Sequence, residues 1–130
     1  MRNTRNKCGN HKVFINGEQY ASQKEANRYM ELLLLQRAGK IRNLEKQVRF
    51  ELIPTQREPD IIGKRGGVHK GKLLEKGVDY IADFVYIDSS GEKVVEDVKG
   101  YRDPSSAVYA KFVIKRKLML WIHGIRIREV

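Results

Sequence analysis

Apolar residues first fall at helical intervals between Ser22 and Gly39. Ala26, Tyr29, Met30, Leu33 and Leu34 recur three and four apart. Ser22-Gln-Lys-Glu25 forms a capping box before them, and Gly39 supplies a C-cap behind them. The pattern predicts a helix over residues 22–38. Then the period changes to two. In Gln47-Val-Arg-Phe-Glu-Leu-Ile, the residues Val48, Phe50 and Leu52 share one face, opposite Gln47, Arg49 and Glu51. This is a half-buried strand, stopped by Pro54. Val78–Ile87 is rich in aromatic and β-branched residues and predicts a second strand. Asp88-Ser-Ser-Gly91 reads as a turn, and Lys93–Lys99 as the return strand, ended by Gly100 and Pro104. A second helix is expected over 105–123, stopped by Gly124, and Ile125–Val130 alternates as a short last strand. Near the start, Val13-Phe-Ile-Asn-Gly-Glu fits a short strand with an Asn16-Gly17 turn. The order helix, three strands, helix, strand predicts one α+β domain over 1–130, a mixed sheet flanked by helices.

Two segments fall outside these periods. Residues 57–77 hold five glycines and six basic residues against three acids, which suits a mobile basic loop or a long irregular hairpin. Residues 1–12 form a basic arm in which Arg2, Arg5, Lys7 and Lys12 precede any acid. It reads equally as a frayed tail and as a phosphate-contacting arm.

Composition narrows the partners. With 41% hydrophobic and 32% charged residues the chain is globular rather than disordered, and its 130 residues suit one domain. A formal charge of +10 favours a polyanion, nucleic acid ahead of a membrane surface. No apolar run approaches the ~18 residues of a spanning helix. The basic start lacks the apolar segment of a secretory signal, so a cytoplasmic location is expected. One cysteine excludes an intrachain disulfide, and Cys8-x-x-His11 lacks the second ligand pair of a zinc site.

Against this positive background, Asp83 and Asp97 stand inside strands, where propensity disfavours them. A buried carboxylate needs a partner, a metal or a shifted pKa. If the hairpin centres on Ser90, Ile87 faces Lys93, Val85 faces Val95 and Asp83 faces Asp97, with Lys99 on the same face. A slip of one residue would set Glu96 beside Asp83 and turn Lys99 away. The D-x-K spacing favours the first register without excluding the second. Two opposed aspartates repel unless a cation lies between them, and a hard ion such as Mg²⁺ suits oxygen ligands. In the first register Glu96 points to the opposite face and is expected to pair with a helix or loop cation.

Ala82-Asp83 followed by Asp97-Val98-Lys99 on the next strand resembles the PD-(D/E)XK nuclease superfamily, with Ala82 where that superfamily has Pro. Ser22–Phe50, Tyr80-Ile-Ala-Asp-Phe-Val-Tyr and Val95-Glu-Asp-Val-Lys-Gly look like a family of small phage-type proteins within it, over residues 12–130. The resemblance implies a restriction-endonuclease-like core and Mg²⁺-dependent hydrolysis of DNA phosphodiesters, with Mn²⁺ as substitute. It implies Asp83 and Asp97 as metal ligands, Glu25 completing the set from the first helix, and Lys99 assisting hydrolysis. The capping box alone is the alternative explanation of Glu25, with the site role preferred. Gln47, Lys64, Arg65, Lys70, Tyr101, Arg102, Lys111 and Lys115 are the expected DNA contacts. Small resolvases of this superfamily imply branched DNA and a homodimer, in a phage-infected or prophage-carrying host. A flap or single-strand nuclease, or a non-catalytic DNA-binding module, are the alternatives. The second helix, apolar at Val108, Phe112, Val113, Leu118, Leu120, Trp121 and Ile122, is expected to be well buried, with Trp121 in the core. His69 and His123 show no partner spacing.

Overall fold

In a computed structural model that describes residues 12–15, 17–100 and 105–130, Ser22 starts the first helix as its sequence suggests. Its hydroxyl accepts the Glu25 N–H at 3.2 Å, and helix α1 runs Gln23–Arg37 to a left-handed Gly39, φ 74°. Before it, β1 (Val13–Ile15) and β2 (Glu18–Tyr20) pair antiparallel around Gly17. Asn16 lies outside the described residues. The buried face of α1 differs from the expected one. Ala26 and Leu32 are buried, while Met30 and Leu34 are exposed. Four consecutive leucines satisfy several helical phases. The phase is set instead by contacts with the sheet, including Tyr29 stacked on Phe84 at 5.9 Å.

The long strand β3 (Arg42–Ile53) begins earlier than its alternation shows. Residues 56–75 form the irregular hairpin rather than a structureless loop. Here β4 (Gln56–Arg57) pairs with β7 (Leu73–Glu75), and β5 (Ile61–Ile62) pairs with β6 (Val68–His69). The hairpin depends on Gly71, where a Cβ would lie 1.9 Å from the Glu58 carbonyl oxygen. Then come β8 (Val78–Ile87), β9 (Lys93–Asp97), α2 (Ala107–Leu118) with a π-helical end over Met119–His123, and β10 (Arg128–Glu129). The main sheet has the order β10-β9-β8-β3. Strands β3, β8 and β9 are antiparallel neighbours, and β10 joins β9 in parallel. A parallel neighbour requires a crossover, which α2 supplies. The result is a mixed α+β domain with two helices among the described residues. The short strand expected at the start gains a partner in β2, and the irregular hairpin offered for 57–77 is built of the four short strands β4–β7.

Each face of the sheet carries its own core. Leu32, Ile41, Phe84, Tyr86 and Val94 pack beneath α1. Phe50, Leu52, Tyr80, Ala82, Val85, Val95, Phe112 and Met119 pack beneath α2. Strand alternation inverts between these faces. Tyr80 and Ala82 belong to the α2 side, yet Phe84 and Tyr86, of the same parity, belong to the α1 side. On β3, Val48, Phe50 and Leu52 face α2, whereas Leu44 faces α1. The pairs Val48↔Ala82 and Lys46↔Phe84 bracket the inversion, so it falls at Gln47 and Asp83. Gln47 has φ 52°, a left-handed conformation that strains a non-glycine residue.

The second helix is not well buried. Only Phe112 within α2 and Met119 in its π-helical end are buried. Val108, Ile114, Leu120 and Ile122 are exposed, and Trp121 is 87% exposed rather than in the core. The helix meets the sheet along one line, so most of its circumference stays bare. Among the described residues, no helix is long and apolar enough to cross a membrane.

Candidate functional site

Register is set at the Asp88–Gly91 turn. One Asp88 carboxylate oxygen accepts from the Ser90 and Glu92 N–H groups, each at 2.9 Å, and from the Ser90 hydroxyl at 2.7 Å. The rungs are Ile87↔Lys93, Tyr86↔Val94, Val85↔Val95 and Phe84↔Glu96. This is the register centred on Ser90; the slipped alternative does not occur. The ladder stops one rung before Asp83 and Asp97 would face each other. Asp83 instead accepts the Val98 N–H at 2.8 Å.

Beyond that rung β9 alternates regularly and sends adjacent acids to opposite faces. Glu96 turns toward α1, fully buried, and pairs with Arg28 through both carboxylate oxygens at 2.8 and 3.0 Å. Tyr86 donates to the same carboxylate at 2.6 Å. Burial and this hydrogen bond push the Tyr86 hydroxyl up to about 12. Glu96 thus has the helix cation expected for it. Asp97 turns toward α2. Its oxygens accept from the Tyr80 hydroxyl at 2.7 Å and from the Lys99 ammonium at 2.8 Å. The ammonium lies 3.2 Å from the centroid of the Phe112 ring, a cation–π position. Val130 of the neighbouring chain end holds this tripeptide's backbone, donating to the Asp97 carbonyl and accepting from the Lys99 N–H, both at 2.9 Å. From α1, Lys24 donates to the Lys99 carbonyl at 2.6 Å.

Glu25 is buried and does more than complete a cap. One oxygen accepts the Ala21 N–H at 2.8 Å; the other accepts from the Gln47 side-chain amide at 3.0 Å. The same amide nitrogen reaches Asp83 at 3.4 Å. The strained Gln47 backbone and the inversion of β8 therefore aim an amide and a carboxylate at one helix residue. Glu25, Gln47 and Asp83 line a cleft of about 400 Å³ with Lys12, Gln19, Tyr20, Ala21 and Lys46. Lys46 lies over the Tyr20 and Tyr29 rings and pairs with Glu18 at the rim.

Asp83 links the two groups. Burial, foremost, and the charges of Asp97 and Glu25 push its carboxyl up to about 7, against the Val98 N–H and the Gln47 amide, which lower it. Asp97 and Lys99 do not line the Glu25–Asp83 cleft. Among the described residues, no group of three or more His, Cys, Asp or Glu side chains is placed to hold a metal ion. The structure sets Asp83 within electrostatic reach of both partners without gathering all three carboxylates.

The expected DNA contacts divide by place. Lys111 and Lys115 line a second cleft, of about 300 Å³, with Asp79, Tyr80, Ile81, Val108 and Phe112, and Tyr80 joins it to Asp97. Lys64, Arg65 and Lys70 are exposed on the β5–β6 hairpin and line neither cleft. Tyr101, Arg102, Cys8 and His11 lie outside the described residues, as does the basic arm apart from Lys12. His123 does have a partner, the Glu51 carbonyl at 2.7 Å. Tyr80 was missed from sequence: three residues before Asp83, regular alternation sets it on the opposite face, and its bond to Asp97 depends on the inversion of β8.

A family model described as "Protein of unknown function (DUF1064)" matches residues 5–125. No curated protein and no solved structure gives a significant match.

Proposed function

This chain belongs to the DUF1064 family, whose description carries no activity, and we propose from the site itself that it is a metal-dependent DNA endonuclease. Asp83 carries this reading. In a chain of formal charge +10, a carboxylate stands at a strained inversion of the sheet, within reach of Glu25, Asp97 and the amide of Gln47. Structural need alone does not account for such a cluster beside a polyanion-seeking surface. Asp83 followed by Asp97-Val-Lys99, with Glu25 on the preceding helix, supports a PD-(D/E)XK-like site and a restriction-endonuclease-like core.

Hard oxygen donors suit Mg²⁺ or Mn²⁺; Glu25, Asp83 and Asp97 are the residues that would hold the ion, and doing so requires Asp97 to give up a Tyr80 or Lys99 contact and reach the cleft that it does not line. When bound, the ion supplies Lewis-acid polarisation of a phosphate and a more acidic water. The chain supplies the rest. Gln47 holds the Glu25 and Asp83 carboxylates in one orientation. Asp97 keeps the Lys99 ammonium beside the site, where it offsets charge developing on a phosphate. Lys111, Lys115 and the hairpin cations Lys64, Arg65 and Lys70 bind backbone phosphates without reading sequence. Branched DNA cut by a homodimer is the form of this activity that the resemblance favours.

A non-catalytic DNA-binding module is the second reading, favoured by one observation: both Asp97 oxygens already have protein partners in Tyr80 and Lys99. Cleavage assays separate the two. A four-way junction, a flap, a duplex and a single strand are each incubated with Mg²⁺, Mn²⁺ or EDTA. Wild type cuts only with metal. Asp83→Ala and Asp97→Ala abolish cutting yet bind DNA as well or better, because a charge repelling phosphate is gone. Lys99→Ala lowers kcat by about 10²–10³. Undiminished cutting by both aspartate variants overturns the site. Tight, metal-independent binding without cutting of any substrate supports the binding module.

A further inference from the structure

Trp121 departs furthest from its expected place. Its side chain is 87% exposed, although tryptophan usually buries most of its surface. The backbone beneath it is nevertheless held on both sides. Met119 is fully buried, Gly124 ends the turn at φ 66°, and the His123 ring meets the Glu51 carbonyl at 2.7 Å and Phe50 at 5.8 Å. A large flat ring is thus presented to solvent from a fixed turn.

Its surroundings select the occupant. Residues 105–128 contain no acid and carry Lys111, Lys115, Arg116, Lys117, Arg126 and Arg128. Lys117 precedes Trp121 by four residues, about one helical turn. Arg116, Lys117, Leu120, Arg126 and Ile127 line a cleft of about 360 Å³ that Trp121 adjoins in sequence without lining it; Arg116 there pairs with Glu129 at 3.1 Å, so Lys117 and Arg126 are the cations argued to meet a phosphate. An apolar floor with a cationic rim, beside an exposed indole, suits a nucleotide: the base stacks while its phosphate meets a cation. A second copy of the chain would bring the same cation-rich face against itself, and the one Arg116–Glu129 pair does not offset Lys111, Lys115, Lys117, Arg126 and Arg128, so like charge opposes self-pairing. Duplex DNA hides its base faces, which leaves an unpaired strand.

We propose that Trp121 and the cations around it form a stacking site for an unpaired nucleotide, so that the DNA this protein takes includes a single-stranded segment. The turn packs beside Phe50 and Glu51, three and four residues along β3 from Gln47, or roughly 10–14 Å at strand spacing. The placement of that segment near a scissile phosphate rests on the nuclease reading; the stacking itself does not.

Trp121 is the only tryptophan in the chain, so its own emission reports the contact. The full protein, in EDTA, is titrated with a short oligothymidylate and with a duplex of equal length. Binding is followed separately by anisotropy of labelled strands. The single strand quenches the emission and the duplex does so much less. Trp121→Ala weakens single-strand binding about tenfold or more with an unchanged melting temperature, and Trp121→Phe restores most of the affinity. The proposal is overturned if the single strand does not bind, binds without quenching, or binds Trp121→Ala as tightly as wild type. Equal quenching by duplex overturns it too, as does sedimentation showing a wild-type dimer that Trp121→Ala splits, since the face would then join two copies. No cleavage enters these readouts, so they stand whether or not the protein cuts DNA.

Discussion

Asp83 shows how far one residue can depart from its strand. Its carboxyl, normally near 3.8, is raised to about 7. The folded state therefore holds a proton that the unfolded chain releases near pH 4. Stability from this group is fully present below the unfolded value and declines as pH rises through the folded one. The decline falls between about pH 4 and pH 7, the unfolded and folded values. Denaturant unfolding in EDTA should show it in wild type and not in Asp83→Asn, which becomes the more stable protein at pH 8. Parallel pH profiles would remove the claim. Arg28 makes the converse case. Its alanine variant leaves Glu96 charged and buried without its cation, which costs about 3–5 kcal/mol in unfolding free energy. Replacing both residues by apolar ones of similar volume should recover most of that loss. No recovery in the double variant would mean that the pair contributes more than mutual compensation.

At the scale of elements, the β3–β8 pair and the hairpin behave differently. Each long strand switches the face of its side chains at one rung, and the rung carries Gln47 and Asp83. A strand with unbroken alternation would bury one of these groups in a core. The inversion sends both into the cleft instead, and the left-handed φ at Gln47 is the strain that accompanies it. The hairpin over 56–75 pairs only with itself. Gly71→Ala should disrupt it, because the added Cβ has no room beside the Glu58 carbonyl. Hydrogen exchange would then rise across 56–75 while the main-sheet amides keep their protection. Loss of protection throughout would show that the hairpin supports the sheet.

For the molecule as a whole, charge and metal are the levers that the proposed nuclease reading makes available to experiment. With a formal charge of +10, DNA binding as proposed should weaken steeply with salt, with a slope set by the number of phosphates neutralised. Lys111→Ala and Lys115→Ala should each reduce that slope by about one and weaken binding to all sequences alike. An unchanged slope would take these cations out of the interface. Mg²⁺ or Mn²⁺ binding to the folded state should stabilise wild type by about 2.7 kcal/mol at 100 times Kd, and do so far less in Asp83→Ala. Equal stabilisation of both proteins would place the ion elsewhere.

By itself the sequence determined the main helices and strands and which residues are candidates for chemistry. Ser22, Gly39, Asp88 and Gly124 act on their own neighbours, so caps, turns and helix limits could be read from local residues. Asp83, Asp97, Lys99 and Glu25 stood out because strand interiors and capping boxes are local contexts as well. Tertiary structure decided which face each residue took. The phase of α1 depended on Tyr29 meeting Phe84, the exposure of Trp121 on α2 meeting the sheet along one line, with no layer over its other side among the described residues, and the Glu25–Gln47–Asp83 contact on an inversion shared by two strands. None of these is local: each requires surfaces far apart in the chain to meet, and periodicity within one element carries no record of its partner.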